Sequence, residues 1–241
     1  MLNADPNKLR FFYGTAPQPC PYLPGRQESK AVTELNTLDA VHLHDVLSRA
    51  GFRRSHSIAY RPACPSCNAC VPARVRVQEF QMTKSMRRTM RRNIGLTHHE
   101  TQAFATEEQY ELFRSYEQAR HSEGEMALMD FNDYRSMVED TPVDTVTIEF
   151  RDPSGTLVAV ALTDRLSDGL SGVYKIFSPQ RENLSLGTFV ILWHIERARA
   201  LGLSYFYLGY WIAESPKMAY KARFMTLEIL TETGWGKLVT P

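Results

Sequence analysis

The sequence lacks a charge of one sign, long apolar runs and abundant cysteine. With 28 Lys and Arg against 27 Asp and Glu, its formal net charge is +1. That excludes a protein that holds nucleic acid through overall basicity. No apolar run is long enough to span a bilayer, so no membrane partner is expected. Met1–Arg10 contains no apolar core of a secretory signal, and a cytoplasmic location is expected. There is no internal repeat and no low-complexity linker. The four cysteines all lie in the first 70 residues. In a reducing compartment such a cluster points to metal or redox work, not to a disulfide framework. What is present is an ordinary globular composition, 43% hydrophobic and 23% charged over 241 residues. That excludes disorder and suits one large domain or two small ones.

The chain divides near residue 104. Residues 1–30 are rich in Pro and aromatics and read as an irregular packed segment. A strand is expected at 30–35, then a helix at 40–50 capped by Asp39 and ended by Gly51. Strands follow at 57–61 and 73–77, and a short helix at 83–93. From 105 onward, Thr106 and Gln109 form a capping-box pattern ahead of a helix at 107–120. Another helix is expected at 131–139. Strands at 146–151, 157–165 and 171–177 are joined by Gly-containing turns as a meander. An apolar helix then runs to 201, and strands at 203–210 and 226–230 flank a helix at 215–223. Strand 171–177, helix and strand 203–210 form a βαβ unit. The expected fold is therefore mixed α+β or α/β. Its C-terminal part, 105–241, has the element order of an acetyltransferase-like (GNAT) domain. A smaller N-terminal α/β part, 1–104, carries the cysteines.

Cys64, Cys67 and Cys70 are spaced by three, and Cys20 is a candidate fourth ligand. Four thiolates suit tetrahedral zinc or an iron–sulfur cluster, and spacing does not separate the two. The bland alternative is buried, reduced thiols that only pack.

A local basic segment interrupts the neutral average. Residues 74–92 hold Arg74, Arg76, Lys84, Arg87, Arg88, Arg91 and Arg92 with one acid, Glu79. On a helix, Lys84, Arg87, Arg88, Arg91 and Arg92 share a face. Such a stripe repels itself unless an anion neutralises it, and nucleic-acid phosphates would do so. The alternative is a solvated face balanced by acids at 107–125.

Near the C-terminus, an aromatic strand, Tyr205–Ile212, runs into Ser215-Pro216-Lys217-Met218-Ala219-Tyr220-Lys221. Gly209 inside a strand marks a bulge or a close backbone approach. Lys217 and Lys221 fall on one helix face beside aromatics, which suggests an anion site with a stacking platform.

These motifs, taken in order, resemble the bacterial branch of the arginyl-tRNA–protein transferase family. The likeness lies in Cys20-Pro-Tyr-Leu-Pro-Gly-Arg26, Gly51-Phe-Arg-Arg-Ser55 and Tyr60-Arg-Pro-Ala-Cys64. It continues through Cys67-x-x-Cys70-Val-Pro-Ala-Arg74, Arg87-Arg88, Arg120-His121 and Ser185-Leu-Gly-Thr188. It ends with Tyr207-Leu-Gly-Tyr-Trp-Ile212, Lys217-Met-x-Tyr220-Lys221 and Gly234-Trp235. The resemblance implies leucyl transfer from leucyl-tRNA to the α-amine of proteins beginning with Asp or Glu, marking them for N-degron degradation. It also implies a GNAT-like domain. Leu23 stands where eukaryotic members have a second Cys, and the spaced triplet replaces their adjacent pair, so cluster binding does not follow from it. Thr83 and Met86 stand where Ser and Gln are common in the segment expected to face tRNA.

On that reading Lys84, Arg87, Arg88 and Arg91 meet tRNA phosphates. Tyr174, Phe177, Tyr210 and Trp211 hold the terminal adenine and the leucine, with Tyr220 and Lys221 beside them. Backbone amides near Gly187 or Gly209 serve the oxyanion, and Ser185 is a further expected substrate-binding residue. Arg76 and Lys217 are the expected clamps for the acceptor's carboxylate. Asp164 and Glu214 are candidate proton acceptors. No cofactor is required for transfer, because the aminoacyl ester is already activated. Alternatives are an arginyl donor, an acetyl-CoA N-acetyltransferase, or a non-catalytic RNA- or metal-binding module. The acetyltransferase lacks support in the absence of a Gln/Arg-x-x-Gly-x-Gly/Ala loop after Phe177.

Overall fold

The computed structural model describes residues 10–239. The N-terminal part builds two small sheets. β1 (Tyr13–Gly14), β2 (Gln18–Pro19) and β3 (Gln27–Glu28) are two-residue strands, and β2 pairs with β3. β4 (Lys30–Glu34), β5 (Arg53–Ser55) and β6 (Ile58–Pro62) join β1 in the order β1-β4-β6-β5. Between them α1 (Ala40–Arg49) buries Ala40, His44 and Leu47, one face of a helical repeat. Gly51 ends it with φ +85°, and a Cβ there would meet the Pro72 side chain at 2.6 Å.

The remaining strands form one eight-stranded sheet. They are β7 (Val71–Arg76), β8 (Thr97–Gln102), β9 (Thr145–Arg151), β10 (Leu157–Arg165), β11 (Gly169–Phe177), β12 (Tyr205–Trp211), β13 (Leu227–Thr231) and β14 (Gly234–Lys237). Their order is β14-β13-β7-β12-β11-β10-β9-β8. Only β11 and β12 run parallel, joined through α5 (Leu186–Ala200), as the βαβ reading expected. The expected boundary at 104/105 is not a boundary of this sheet. β7 and β8 come from the N-terminal part, and β7 sits between β12 and β13.

The layers follow from alternation. β10 is buried on both faces, so it reads as a continuous apolar run. Ala159 and Ala161 pack with Val190 of α5, while Val160 and Leu162 pack with Phe113 and Tyr134. Phe113 lies on α3 (Glu107–Arg120) and Tyr134 on α4 (Phe131–Glu139). The Thr106–Gln109 capping box is present: Gln109 N donates to Thr106 Oγ1 at 3.2 Å, and Thr106 N to Gln109 Oε1 at 3.3 Å. α2 (Lys84–Arg92) buries Met86 against the α5 side of the sheet. The helix expected at 215–223 is a single turn, α6 (Pro216–Ala219), then a 3-10 turn, Tyr220–Arg223. Phe224, buried against Phe80, ends it.

Two bulges open the sheet. β11 and β12 pair only at Gly169–Tyr205, Leu170–Phe206 and Ser171–Tyr207. Just beyond, the register shifts on both outer sides, between Leu162 and Thr163 of β10 and between Tyr207 and Gly209 of β12. Gly209 has φ +76°, a left-handed conformation that suits glycine and allows the bulge. From there β11 continues beside β10 and β12 beside β7, and the two strands part.

Candidate functional site: a cation-lined slot beside a basic helix

The gap between β11 and β12 is held by Arg53 of β5. Its Nη2 donates to Gly172 O at 2.7 Å and to Val173 O at 3.0 Å, carbonyls freed where the strands part. On the other side, a Cβ on Gly209 would lie 1.8 Å from Arg53 Nη1. Glycine at 209 is thus needed for conformation and for space. The following carbonyl, Tyr210 O, accepts from Lys221 Nζ at 2.5 Å. Lys221 is 5% exposed, and burial, with Arg53 and Lys175 nearby, lowers its pKa well below the usual lysine value. Lys175 Nζ donates to the hydroxyl of Tyr220 at 3.2 Å.

Several aromatic side chains belong to the elements around the gap. Tyr210 OH lies 3.1 Å from both Gly51 O and Tyr60 O, and burial pushes its pKa upward. Phe177 lies edge-on to Tyr116 of α3 at 4.9 Å between centroids, and a Cβ on Gly187 would press on the Phe177 ring at 2.9 Å. Gly187 therefore lets the first turn of α5 approach β11. Ser185, with φ +52°, turns the chain into α5, and its carbonyl accepts from Thr188 and Phe189. The Trp211 indole Nε1 is buried without a partner among the described residues. His121, at the end of α3, has its pKa lowered first by burial, then raised by Glu117 and lowered by Lys217.

Beside the slot, α2 presents its charge outward. Lys84, Arg87, Arg88, Arg91 and Arg92 are all exposed. None has a carboxylate partner among the described residues, so the acids at 107–125 do not balance them. Arg92 Nη1 donates to Asn183 O at 3.1 Å and Asn93 Nδ2 to Leu184 O at 2.9 Å. Those bonds pin the basic helix to the turn that immediately precedes Ser185 and α5.

Of the expected site residues, Gly209 lies against Arg53, Lys221 bonds to Tyr210 O, Tyr220 accepts from Lys175, Gly187 packs on Phe177 just after Ser185, and Lys217 is near His121 of α3. Trp211 packs against the core, and Tyr210 is buried with its hydroxyl held at Gly51 O and Tyr60 O, so its ring is not open to a ligand. Several expectations are corrected. Tyr174 is not free to stack on a ligand, because its hydroxyl donates to the buried Glu117 and its ring packs against Phe113. Arg76 pairs with Tyr205 in the sheet, whereas Trp211 pairs with Val71. It sits at the far end of β12 and is ion-paired to Glu79 and Glu228. Arg74 is buried, stacked over Tyr205 and Trp235 and paired with Glu228, so it belongs to the fold and not to the outward basic face. Met86 is core and does not face outward for tRNA, whereas Thr83 caps α2 and stays exposed at its start. Asp164 is fully buried and held bidentately by Arg54 at 2.9 and 2.8 Å, which removes it as a proton acceptor. Glu214 is exposed and pairs with Arg26 at 3.3 Å.

The cysteines line the loop next to the slot but take separate partners. Arg26 Nη1 donates to Cys67 Sγ at 3.1 Å, and Cys64 Sγ approaches Ser29 O at 3.7 Å. The Ala69 amide and Arg26 lower the Cys67 pKa, whereas burial pushes Cys70 up to about 12. Among the described residues no three His, Cys, Asp or Glu side chains are grouped to hold a metal ion. Cys20, Cys64 and Cys67 are all near enough to Cys70 to push its pKa up, and Arg26 is bonded to Cys67 of this expected ligand set.

Two residues of the slot escaped sequence reasoning, Arg53 and Lys175. Lys175 carried a signal, a lone cation inside an otherwise apolar strand. Arg53 carried none beyond its place beside Arg54, since only tertiary contact brings β5 to the gap.

A sheet opened at a cation-lined slot, with an unneutralised basic helix at its side, is the layout of an enzyme acting on anionic substrates. The family described as arginine-tRNA-protein transferase, N terminus, matches residues 18–88, and its C-terminal counterpart matches residues 108–231. An aspartate/glutamate leucyltransferase of Gluconacetobacter diazotrophicus is 55% identical over 99% of this chain and 92% of its own. One from Paramagnetospirillum magneticum is 56% identical over 94% of this chain and 93% of its own. The chain belongs to the arginine-tRNA-protein transferase family. In fold it is similar to the C-terminal domain of a putative lysylphosphatidylglycerol synthetase from Agrobacterium fabrum. That likeness has a TM-score of 0.51 at 16% identity, over 77% of this chain and 64% of that one.

Proposed function

We propose that this protein is a cytoplasmic leucyltransferase on a GNAT-like fold. It moves leucine from leucyl-tRNA to the N-terminal amine of proteins beginning with Asp or Glu and so marks them for degradation. The name shared by its relatives supports the donor and the acceptors. The observation that carries the reading is α2: five exposed cations without acidic partners among the described residues, pinned by Arg92 and Asn93 to the turn that leads into α5. A tRNA whose acceptor stem lies along Arg87, Arg88 and Arg91 has its aminoacylated end directed at β11 and β12.

The reaction joins the acceptor nitrogen to the leucyl carbonyl carbon and breaks the bond from that carbon to the tRNA 3′ (or 2′) oxygen. The ester is already activated, and at neutral pH a useful share of α-amines, pKa about 7.7–8.0, is unprotonated. The work left to the protein is positioning, stabilising the oxyanion, and passing the amine proton to the departing hydroxyl. On this reading, backbone amides near Gly187 and Gly209 serve the oxyanion. These steps require no metal.

Labelled leucyl-tRNA and arginyl-tRNA should be offered with peptides beginning Asp, Glu, Arg or Ala, with and without chelator. Leucine on Asp and Glu alone, unaffected by chelator, is the expected result. Arginine transfer overturns the donor assignment, and chelator sensitivity returns the cysteines to a metal role.

A further inference from the structure

Arg53, Lys175 and Lys221 form a ring across the gap. Arg53 Nη2 is bonded to β11 at Gly172 and Val173, and its Nη1 lies over Gly209 of β12. Tyr210 O, one residue on, holds Lys221. Tyr220, the neighbour of Lys221, holds Lys175, which returns the circuit to β11 two residues past Val173. No carboxylate among the described residues pairs with any of the three. Cations so close together, one of them buried, repel each other and lose hydration. The buried Trp211 N–H at the same end of β12 is a donor without an acceptor. The ring is thus short of one acceptor-rich anion.

We infer that this ring is the specificity element for the acceptor: Arg53 and Lys175, backed by Lys221, receive the side-chain carboxylate of its first residue. This rests on the transferase reading above. Arg53 and Lys175 are part-buried and Lys221 is buried, in contrast to the exposed row on α2, so these cations suit one small anion. A polynucleotide backbone has the exposed row on α2. In Asp or Glu the carboxylate is one or two methylenes from the α-carbon. Holding it at the ring places the α-amine near Gly209, where β11 and β12 part. Asn and Gln match these side chains in shape but not in charge, and leave the cations unpaired. Arg76, at the other end of β12, has no part in this.

Binding of short peptides that differ only in an N-terminal Asp or Asn should be measured by calorimetry, without tRNA. The wild type should prefer Asp by roughly 10- to 100-fold, the worth of one or two charge-assisted hydrogen bonds. In Lys175→Met the preference should collapse while leucyl-tRNA binding stays unchanged, which also certifies the fold. Lys175→Arg should restore most of it. Equal binding of the two peptides by the wild type, or an undiminished preference in Lys175→Met, overturns the inference. So does a Lys175→Met variant that loses leucyl-tRNA affinity and keeps its peptide preference, since the ring then serves a phosphate. A wild type that discriminates the peptides but transfers no leucine sinks the transferase reading and leaves the clamp standing.

Discussion

Arg53 and Arg54 are neighbours on β5, and strand alternation sends them to opposite fates. Arg54 enters a closed polar cluster, bidentate to Asp164, with Thr145 Oγ1 donating to the same carboxylate at 2.7 Å. Both ionic partners are buried and each finds its complement within the chain. Arg53 bonds to two carbonyls, lies near Lys221, and has no carboxylate partner among the described residues. The first cluster is complete and ties the small sheet to the large one. The second is charged, only partly buried, and without a carboxylate among the described residues. A buried charge that the chain satisfies belongs to the fold, and one that it leaves open is set aside for a ligand.

The largest effect expected from this contrast is on stability. Asp164→Asn strands the Arg54 guanidinium in the interior and should cost about 3–5 kcal/mol. Lys175→Met, which removes a charge from the open ring, should cost far less and may be compared in the same urea titration. A loss as large in Lys175→Met would break the distinction.

His194 extends the closed class. It is fully buried between Val190 O and Thr163, and burial lowers its pKa to about 4. Its folded pKa lies below the unfolded value, so its contribution is fully present above about 6.5 and is lost as pH falls through about 4. Between those values the unfolded chain binds the extra proton, and stability rises with pH. The wild type should lose about 3 kcal/mol more than His194→Leu between pH 7 and pH 4. Parallel losses in equilibrium unfolding at the two pH values would contradict it.

The smallest effects separate the basic residues from one another. Arg88→Ala with Arg91→Ala should leave unfolding unchanged and lower the slope of log affinity for leucyl-tRNA against log salt by about 2. Arg76→Ala breaks exposed ion pairs with Glu79 and Glu228. It should cost at most about 1 kcal/mol and leave that slope as it is. A slope that drops equally in Arg76→Ala would return Arg76 to the tRNA surface.

Elements were legible where a local rule governs them. The capping box at Thr106, the breaker at Gly51, the meander and the βαβ unit all stand where patterning put them. The 215–223 helix was overextended because the burial of Phe224 and the capture of Lys221 by Tyr210 O cut it short, and neither is local. In the site, the aromatic strand and Gly209 were legible because bulges and unusual strand residues leave marks in sequence. Tyr174 was misplaced because an isolated tyrosine does not reveal that a buried Glu117 waits on another helix. Arg76 was misplaced because its carboxylate partner Glu228 lies on a distant strand.

The sequence by itself determined the order of helices and strands, the basic face of α2 and the family, because capping, periodicity and motif order are properties of near neighbours. The tertiary structure alone decided which cations are free. Whether a charge is neutralised depends on what another part of the chain brings within a few ångströms, and in a reading of the chain Arg53 and Arg54 look the same.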